Sequence, residues 1–137
     1  FAPFMLIHEI DSKEAYKKLT LSPKSNLLDV RTNDEWRSTG VPDLTSVNKQ
    51  TVLLQWPRFV NKEFINFFKM QLISNFNFED DLIFICRSGV RSRLAAEISV
   101  KFGFANIYNI LDGFEGINNS VYSGWKNNDL PWKVINN

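Results

Sequence analysis

Short apolar runs alternate with amphipathic segments along most of the 137-residue chain. The runs have the length and composition of strands in a buried parallel sheet. They lie at residues 6–9, 26–30, 52–55, 82–85 and 107–110. The segments between them place apolar residues at helical spacing. This alternation predicts an α/β domain in which a mostly parallel five-stranded sheet is flanked by helices.

Polar residues suited to helix N-caps precede three of the predicted helices. In chain order, the candidate caps are Ser12, Thr32 or Asn33, and Asn61. The first two helices are expected over 13–20 and 34–38, and Gly40 fits the end of the second because helices often end at a glycine. The buried stripe of the third helix is expected to consist of four residues, Phe64, Phe67, Phe68 and Leu72.

Length and charge restrict the classes of protein to which this chain can belong. The length supports one hydrophobic core and is short for two, so we expect a single domain over residues 1–137. Lys and Arg total 16 and Asp and Glu total 15, which gives a net charge of +1. No nucleic-acid partner is expected, because such domains usually carry a clustered basic excess. No membrane partner is expected either, because no apolar stretch approaches the roughly 18 residues of a membrane span.

The chain has one cysteine and one histidine. One cysteine forms no internal disulfide, and the pair is too few for a zinc site of four protein ligands. We therefore expect no metal and no cofactor, and a reducing cytoplasmic location. The sequence leaves the oligomeric state open.

The cysteine, Cys86, follows directly after the apolar run at 82–85 and precedes a helical pattern that starts near Arg91. The loop between them brings backbone amides, the positive end of a helix, and Arg87 and Arg91 toward one sulfur. These surroundings favour the thiolate and the binding of an anion. Cysteine is also a common small core residue. Packing alone does not require a glycine, two hydroxyl groups and two arginines around it, so Cys86 is the candidate nucleophile.

The segment CRSGVRS at 86–92 resembles the active-site loop of rhodanese domains, which are thiosulfate and related sulfurtransferases. The segment LLDVR at 27–31, with Glu35 and Trp36 downstream, is similar to the first signature of that family. The segments after the loop also resemble the closing strand, glycine turn and terminal pattern of the family. The chain is therefore identified, from about residue 7 to 132, with the single-domain rhodanese-like sulfurtransferases.

This resemblance implies a three-layer rhodanese-like fold and a reaction with two partners. Cys86 would take the outer sulfur of thiosulfate or a similar small donor, release sulfite, and hold a persulfide for a thiol or protein acceptor. The loop amides, rather than a general base, would sustain the thiolate. The residues expected to bind the substrate are Arg87, Ser88, Gly89, Val90, Arg91 and Ser92. No cofactor and no metal are implied.

The resemblance also implies a supporting role for Asp29, Arg31 and Glu35. Asp29 lies at the exit of a buried strand, two residues before an arginine that can pair with Glu35. We expect these three residues to brace the active-site loop rather than to contact the substrate.

Two other functions are compatible with parts of this pattern. Protein tyrosine and dual-specificity phosphatases have five residues between their cysteine and arginine, whereas Cys86 and Arg91 enclose four, which narrows the ring of amides and suits a sulfur better than a tetrahedral phosphate. A rhodanese-like module that relays sulfur or senses redox state, with little turnover on small donors, is the second alternative. The loop is compatible with relay as well as with catalysis.

Overall fold

The computed structural model describes residues 6–135. The domain predicted over 1–137 extends past both ends of this range, so its termini lie outside the described residues. The strands are β1 (Ile7–Ile10), β2 (Ser25–Asp29), β3 (Val41–Pro42), β4 (Val52–Leu53), β5 (Asp81–Ile85), β6 (Asn106–Ile110) and β7 (Trp132–Lys133). The helices are α1 (Ser12–Leu21), α2 (Asn33–Thr39), α3 (Lys62–Asn75), α4 (Val90–Lys101) and α5 (Gly124–Asn127), with a 3₁₀ turn at Thr45–Val47.

Five strands form one sheet in the order β1-β6-β5-β2-β4. All of its pairings are parallel, which confirms the predicted sheet. In the register at the centre, Phe84 of β5 pairs with Leu28 of β2 and with Asn109 of β6. The carboxyl ends of these three strands therefore lie side by side at one edge of the sheet, where ligands of such folds usually bind.

Two hydrophobic cores lie on opposite faces of the sheet, because successive residues of a strand point to opposite sides. Leu28 and Phe84 pack with buried residues of α3 and α4 on one face. Leu27 and Ile83 pack with buried residues of α1 and with Trp125 of α5 on the other. The result is the predicted three-layer arrangement of helices, sheet and helices. No helix within residues 6–135 is long and apolar enough to cross a membrane.

A second, two-stranded sheet was not predicted from the sequence. β3 and β7 pair in antiparallel fashion, with Val41 opposite Lys133 and Pro42 opposite Trp132. Each strand has two residues, which is too short for a hydrophobic pattern to reveal. The small sheet ties the segment after α2 to the C-terminal part of the described chain.

The predicted N-cap of the first helix is wrong by one residue. Asp11, not Ser12, caps α1: its carboxylate accepts from the Glu14 N–H at 2.8 Å, and the Glu14 carboxylate accepts from the Asp11 N–H at 3.4 Å. This reciprocal pair is a capping box. Ser12 is buried instead, and its hydroxyl donates to Asp112 at 3.0 Å. Both residue types are good caps, and their local sequence does not reveal the distant partner that buries Ser12.

The buried stripe predicted for α3 is partly wrong. Phe68 and Leu72 are buried as expected, and Phe64 packs against them. Phe67, however, is 53% exposed and lies in an open groove beside Leu53 of β4. β4 is an edge strand of two residues, and Phe67 stays accessible in the groove beside it.

A fully buried ion pair lies at the carboxyl end of β2. Arg31 donates to the Asp29 carboxylate from Nε at 3.0 Å and from one terminal nitrogen at 2.7 Å, and both side chains are 0% exposed. Two further guanidinium N–H groups donate to the Thr39 hydroxyl and the Gly40 carbonyl, each at 2.8 Å. Its face lies 4.1 Å from the ring centre of Phe114. The charge of Arg31 is thus compensated on every side, as a buried charge requires.

Removing one partner of this pair should destabilise the fold strongly. We expect Arg31→Met to lower the free energy of unfolding by about 3–5 kcal/mol, because it leaves the Asp29 carboxylate buried without a counter-charge. The double variant Asp29→Leu with Arg31→Met should recover part of this loss. Urea unfolding followed by tryptophan fluorescence measures both effects. Arg93→Met, which breaks the partly exposed ion pair with Glu9, is the control and should cost about 1 kcal/mol or less. A single variant as stable as this control would contradict the account.

Candidate active site

The sulfur of Cys86 lies inside a closed loop that connects β5 to α4. Cys86 directly follows the last residue of β5, and only 1% of it is exposed. Its Sγ accepts a hydrogen bond from the Gly89 N–H at 3.2 Å and lies 3.1 Å from the Ser92 hydroxyl oxygen. Ser92 is fully buried, so its hydroxyl is held against the sulfur. A sulfur in contact with a backbone donor and a hydroxyl is suited to carry negative charge.

Two glycines let this loop sit directly on the turn after β6. Gly89 has a φ of +97°, and a Cβ added there would lie 2.5 Å from the Leu111 carbonyl oxygen. Gly113 has a φ of +62°, and its Cβ would collide with the Arg87 carbonyl. Both positions combine a left-handed backbone with a close backbone neighbour, which only glycine accommodates.

Three carbonyl groups of the loop are hydrogen-bonded to β6 and the turn that follows it. The N–H of Phe114 donates to the Cys86 carbonyl at 2.8 Å, and the N–H of Glu115 donates to the Arg87 carbonyl at 3.0 Å. The side-chain amide of Asn109 donates to the Gly89 carbonyl at 3.2 Å. Because the C=O and N–H of a trans peptide point in opposite directions, the N–H that follows each carbonyl points away from these partners.

The N–H groups of Arg87, Ser88 and Val90, which follow these three carbonyls, therefore point away from the β6 side of the loop. The first amides of α4 have no partner within the helix and add to this set. Successive N–H groups in such a concave turn bind anions. The geometry is that of a small anion site next to a buried sulfur.

Arg91 of α4 is held by Glu35 of α2. Its two terminal nitrogens donate to the two carboxylate oxygens of Glu35 at 2.6 and 2.9 Å. Glu35 also accepts from the Thr32 N–H at 3.1 Å, which completes the capping box of α2. One carboxylate therefore fixes both the start of α2 and the guanidinium beside the loop.

This ion pair shifts the titration of both partners. Burial alone would raise the pKa of the Glu35 carboxyl, but the hydrogen bonds from Arg91 and Thr32 outweigh it and lower the pKa to about 2. The hydrogen bond to Glu35 raises the pKa of Arg91 against the opposing effect of burial, and the charges of Glu35, Cys86 and Asp29 add to the rise. Glu35 and Arg91 thus remain paired over the physiological pH range.

The other predicted loop residues occupy the outer side of the loop. The side chain of Arg87 is 65% exposed and forms an ion pair with Glu115, in which its Nε lies 3.2 Å from a carboxylate oxygen. Val90 is 68% exposed, so only its backbone is available to the sulfur. Ser88 and Val90 line an open groove together with Asn109. Among the predicted binding residues, Gly89 and Ser92 are the ones that contact Sγ.

The expected pairing of Arg31 with Glu35 is wrong. Arg31 turns into the core and pairs with Asp29, whereas Glu35 lies on the first turn of α2 and faces Arg91. The expected bracing of the loop is indirect, because Arg31 packs on the ring of Phe114, whose N–H holds the Cys86 carbonyl. Arg31 and Glu35 are four positions apart, a spacing that brings opposite charges together within one helix, but Arg31 precedes α2.

Sequence reasoning missed the residues that hold the loop from the β6 side, namely Asn109, Phe114 and Glu115. Two of them act through backbone N–H groups, which carry no residue-type signal. Asn109 had one signal: it is a polar residue near the carboxyl end of a strand predicted to be buried. Within residues 6–135, no group of three or more His, Cys, Asp or Glu residues is placed to hold a metal ion.

The ion pair between Glu35 and Arg91 should make stability depend on pH in acid. The pKa of Glu35 is lower in the folded state, so its contribution is fully present above about pH 4.5 and is lost as the pH falls toward 2. Replacing Glu35 with Gln removes this dependence. We expect the loss of unfolding free energy between pH 6 and pH 3 to be smaller in Glu35→Gln than in the native protein by about 1 kcal/mol. Equal losses in the two proteins, measured by urea unfolding, would contradict the assignment.

Comparisons with known proteins identify the family and the fold of this chain. A family model described as the STR4 middle domain matches residues 8–137. A Rickettsia prowazekii protein described as uncharacterized is 43% identical over 130 residues, which cover 94% of this chain and 99% of that protein. Rhodanese-like domain-containing protein 4 of Arabidopsis thaliana, a chloroplastic protein, is 29% identical over 126 residues, which cover 88% of this chain and 24% of that longer protein.

Among solved structures, the crystal structure of Rv0390 from M. tuberculosis superposes with a TM-score of 0.80 at 35% sequence identity, covering 93% of this chain and 98% of that one. The chain belongs to the STR4 middle-domain family and has the rhodanese-like fold.

Proposed function

We propose that the protein is a sulfurtransferase of the thiosulfate type that carries sulfur as a persulfide on Cys86. In the first step, the Cys86 thiolate attacks the outer sulfur of thiosulfate. A sulfur–sulfur bond to Cys86 forms, the sulfur–sulfur bond of thiosulfate breaks, and sulfite leaves with the bonding electron pair. In the second step, a thiolate of a small or protein acceptor attacks the outer sulfur, and Cys86 is released as the thiolate.

One observation carries this proposal: the Gly89 N–H donates to Sγ at 3.2 Å. The loop around it is held from the β6 side through the carbonyls of Cys86, Arg87 and Gly89. Such a site stabilises negative charge on Cys86 before attack and on the outer sulfur afterwards. The Ser92 hydroxyl, 3.1 Å from Sγ, adds a polar contact on the other side. No side chain is required to remove a proton in either step.

The arginines play a smaller part than the sequence suggested. Arg87 and Arg91 were expected to supply positive charge to an anionic donor, but each is paired with a carboxylate. The pull on the donor then comes mainly from backbone N–H groups. The phosphatase alternative remains disfavoured by loop length, because Cys86 and Arg91 enclose four residues rather than five.

A relay module with little turnover on small donors is the second candidate. The observation that favours it is the 1% exposure of Cys86 together with the pairing of both loop arginines. A free dianionic donor gains little from neutralised arginines and must reach an enclosed sulfur. A partner protein that docks on the loop would deliver sulfur without these restrictions.

Mass spectrometry of the native protein after incubation with thiosulfate should show an added mass of one sulfur atom. Cys86→Ser should show none and should lose thiosulfate:cyanide activity completely, because Cys86 is the one cysteine of the chain. Cyanide should remove the added mass from the native protein, which distinguishes a persulfide from stable oxidation. Activity retained by Cys86→Ser would overturn the covalent mechanism. A stable persulfide with a kcat/KM well below about 10⁴ M⁻¹s⁻¹ would favour the relay.

The pairing of Arg87 with Glu115 predicts how donor affinity responds to charge. Glu115→Gln frees Arg87, so the KM for thiosulfate should fall about two- to threefold, and Arg87→Ala should raise it by a similar factor, as expected for partly exposed charges. Both effects should shrink at high salt. Asp129→Asn, which removes one negative charge elsewhere on the protein, is the matched control for net charge. Equal KM values in all four proteins would exclude Arg87 from donor binding.

A further inference from the structure

Asn109 of β6 is a buried polar residue whose side-chain nitrogen is hydrogen-bonded and whose side-chain oxygen is not. It is 1% exposed, and its Nδ2 donates to the Gly89 carbonyl at 3.2 Å and to the two Glu9 carboxylate oxygens at 3.1 and 2.9 Å. Its Oδ1 is buried and has no hydrogen-bond partner within the described part of the chain. An unpartnered buried oxygen costs free energy. The residue therefore contributes through its donor and not through its acceptor.

The acceptors around Asn109 fix the orientation of its amide. The Gly89 carbonyl and the Glu9 carboxylate both lie on the Nδ2 side, and neither can accept from an oxygen. Glu9 of β1 is itself held by Arg93 of α4, whose terminal nitrogen donates to Oε1 at 2.7 Å. Asn109 thus lies in a chain of contacts that joins β1, β6 and the first turn of α4.

Gly89 is the residue that this chain of contacts holds in place. Leu111 closes one side of it, since even a Cβ there would lie 2.5 Å from the Leu111 carbonyl oxygen. The Asn109 amide holds its carbonyl, and its own N–H donates to the Cys86 sulfur at 3.2 Å. The N–H and the carbonyl of Gly89 belong to the two peptide groups on either side of its Cα. Anchoring the carbonyl therefore restricts the rotation of the Gly89 backbone that would move this N–H off the sulfur.

We propose that Asn109 is a positioning residue for the Cys86 thiolate: it anchors the Gly89 carbonyl and so keeps the Gly89 N–H on Sγ. Only the consequence for sulfur transfer rests on the proposed function, since the effect on ionisation of Cys86 does not require a sulfur donor. A residue that merely stabilised the fold would affect unfolding and leave the sulfur unchanged. The two roles are therefore separable by experiment.

The test follows the ultraviolet absorbance of the thiolate as a function of pH, with the curve of Cys86→Ser subtracted. Asn109→Leu keeps the approximate side-chain volume and removes the donor. Its absorbance curve should lie about one pH unit above the native curve. A shift of one unit corresponds to about 1.4 kcal/mol, which is close to the free energy of a hydrogen bond to an ionised group. Asn109→Ser is too short to reach the Gly89 carbonyl and gives the same test if the leucine variant does not fold.

Two controls exclude other causes of a displacement of the absorbance curve along the pH axis. Asn106→Leu removes an amide from the opposite end of β6, where Nδ2 donates to the Glu79 carbonyl at 2.9 Å, and its curve should superpose on the native one. The displacement should persist when Glu9→Gln is added to Asn109→Leu, which shows that it does not arise from an unscreened Glu9 carboxylate. The other charged groups near the loop are unchanged in every variant: Arg87, Glu115, Arg91, Glu35, Asp29 and Arg93.

Unfolding temperatures measured on the same variants complete the experiment. A lower unfolding temperature with an unchanged absorbance curve would overturn the proposal and make Asn109 a structural residue. An equal displacement in Asn106→Leu, or a displacement abolished by Glu9→Gln, would also overturn it. If native protein forms no persulfide with thiosulfate, the proposed function fails, yet the absorbance curves still decide the role of Asn109. If both hold, persulfide formation measured at a pH at least one unit below the midpoints of both absorbance curves should be roughly tenfold slower in Asn109→Leu.

Discussion

The structure of the site depends on one constraint: the loop after β5 must keep its carbonyl groups on the turn after β6. β5 and β6 are neighbours in a parallel sheet, so their carboxyl ends lie side by side and the two following segments meet. Backbone hydrogen bonds from Phe114 and Glu115, and one from the Asn109 side chain, then decide which way the loop peptides face. These contacts turn three loop carbonyls away from the Cys86 sulfur, which accepts from the Gly89 N–H and contacts the Ser92 hydroxyl.

Two ion pairs elsewhere in the domain support this arrangement: one lies under the turn after β6, and the other holds the start of α4. Arg31 is buried against Phe114, and its charge is balanced by Asp29, so the turn rests on a compensated ion pair rather than on solvent. From the side, Glu35 holds Arg91 and thereby the first turn of α4. The charged residues near Cys86 are thus used mainly to fix backbone, and the backbone supplies the electrostatics of the site.

The sequence predicted the central sheet well because buried parallel strands leave continuous apolar runs. The three central strands, β2, β5 and β6, lie within one residue of their predicted positions. The second sheet could not be predicted, because its strands have two residues each and are far apart in the sequence, as the pairing of Val41 with Lys133 shows. Phe67 was placed inside because helical spacing shows a stripe but not how far the neighbouring sheet extends. The residues of the Cys86 loop were enough to predict where the site lies. The ion-pair partners of Arg31 and Glu35 could not be predicted, because they depend on Arg31 turning into the core, which local sequence does not show.

The central claim is that the loop amides, and not the arginine side chains, surround the sulfur that is transferred. A crystal structure of the protein after reaction with thiosulfate tests this directly. We predict an outer sulfur on Cys86 within hydrogen-bond distance of several N–H groups of residues 87–92, with Arg91 still paired to Glu35. An outer sulfur that points away from these N–H groups, or an Arg91 that leaves Glu35 to bind it, would contradict the account.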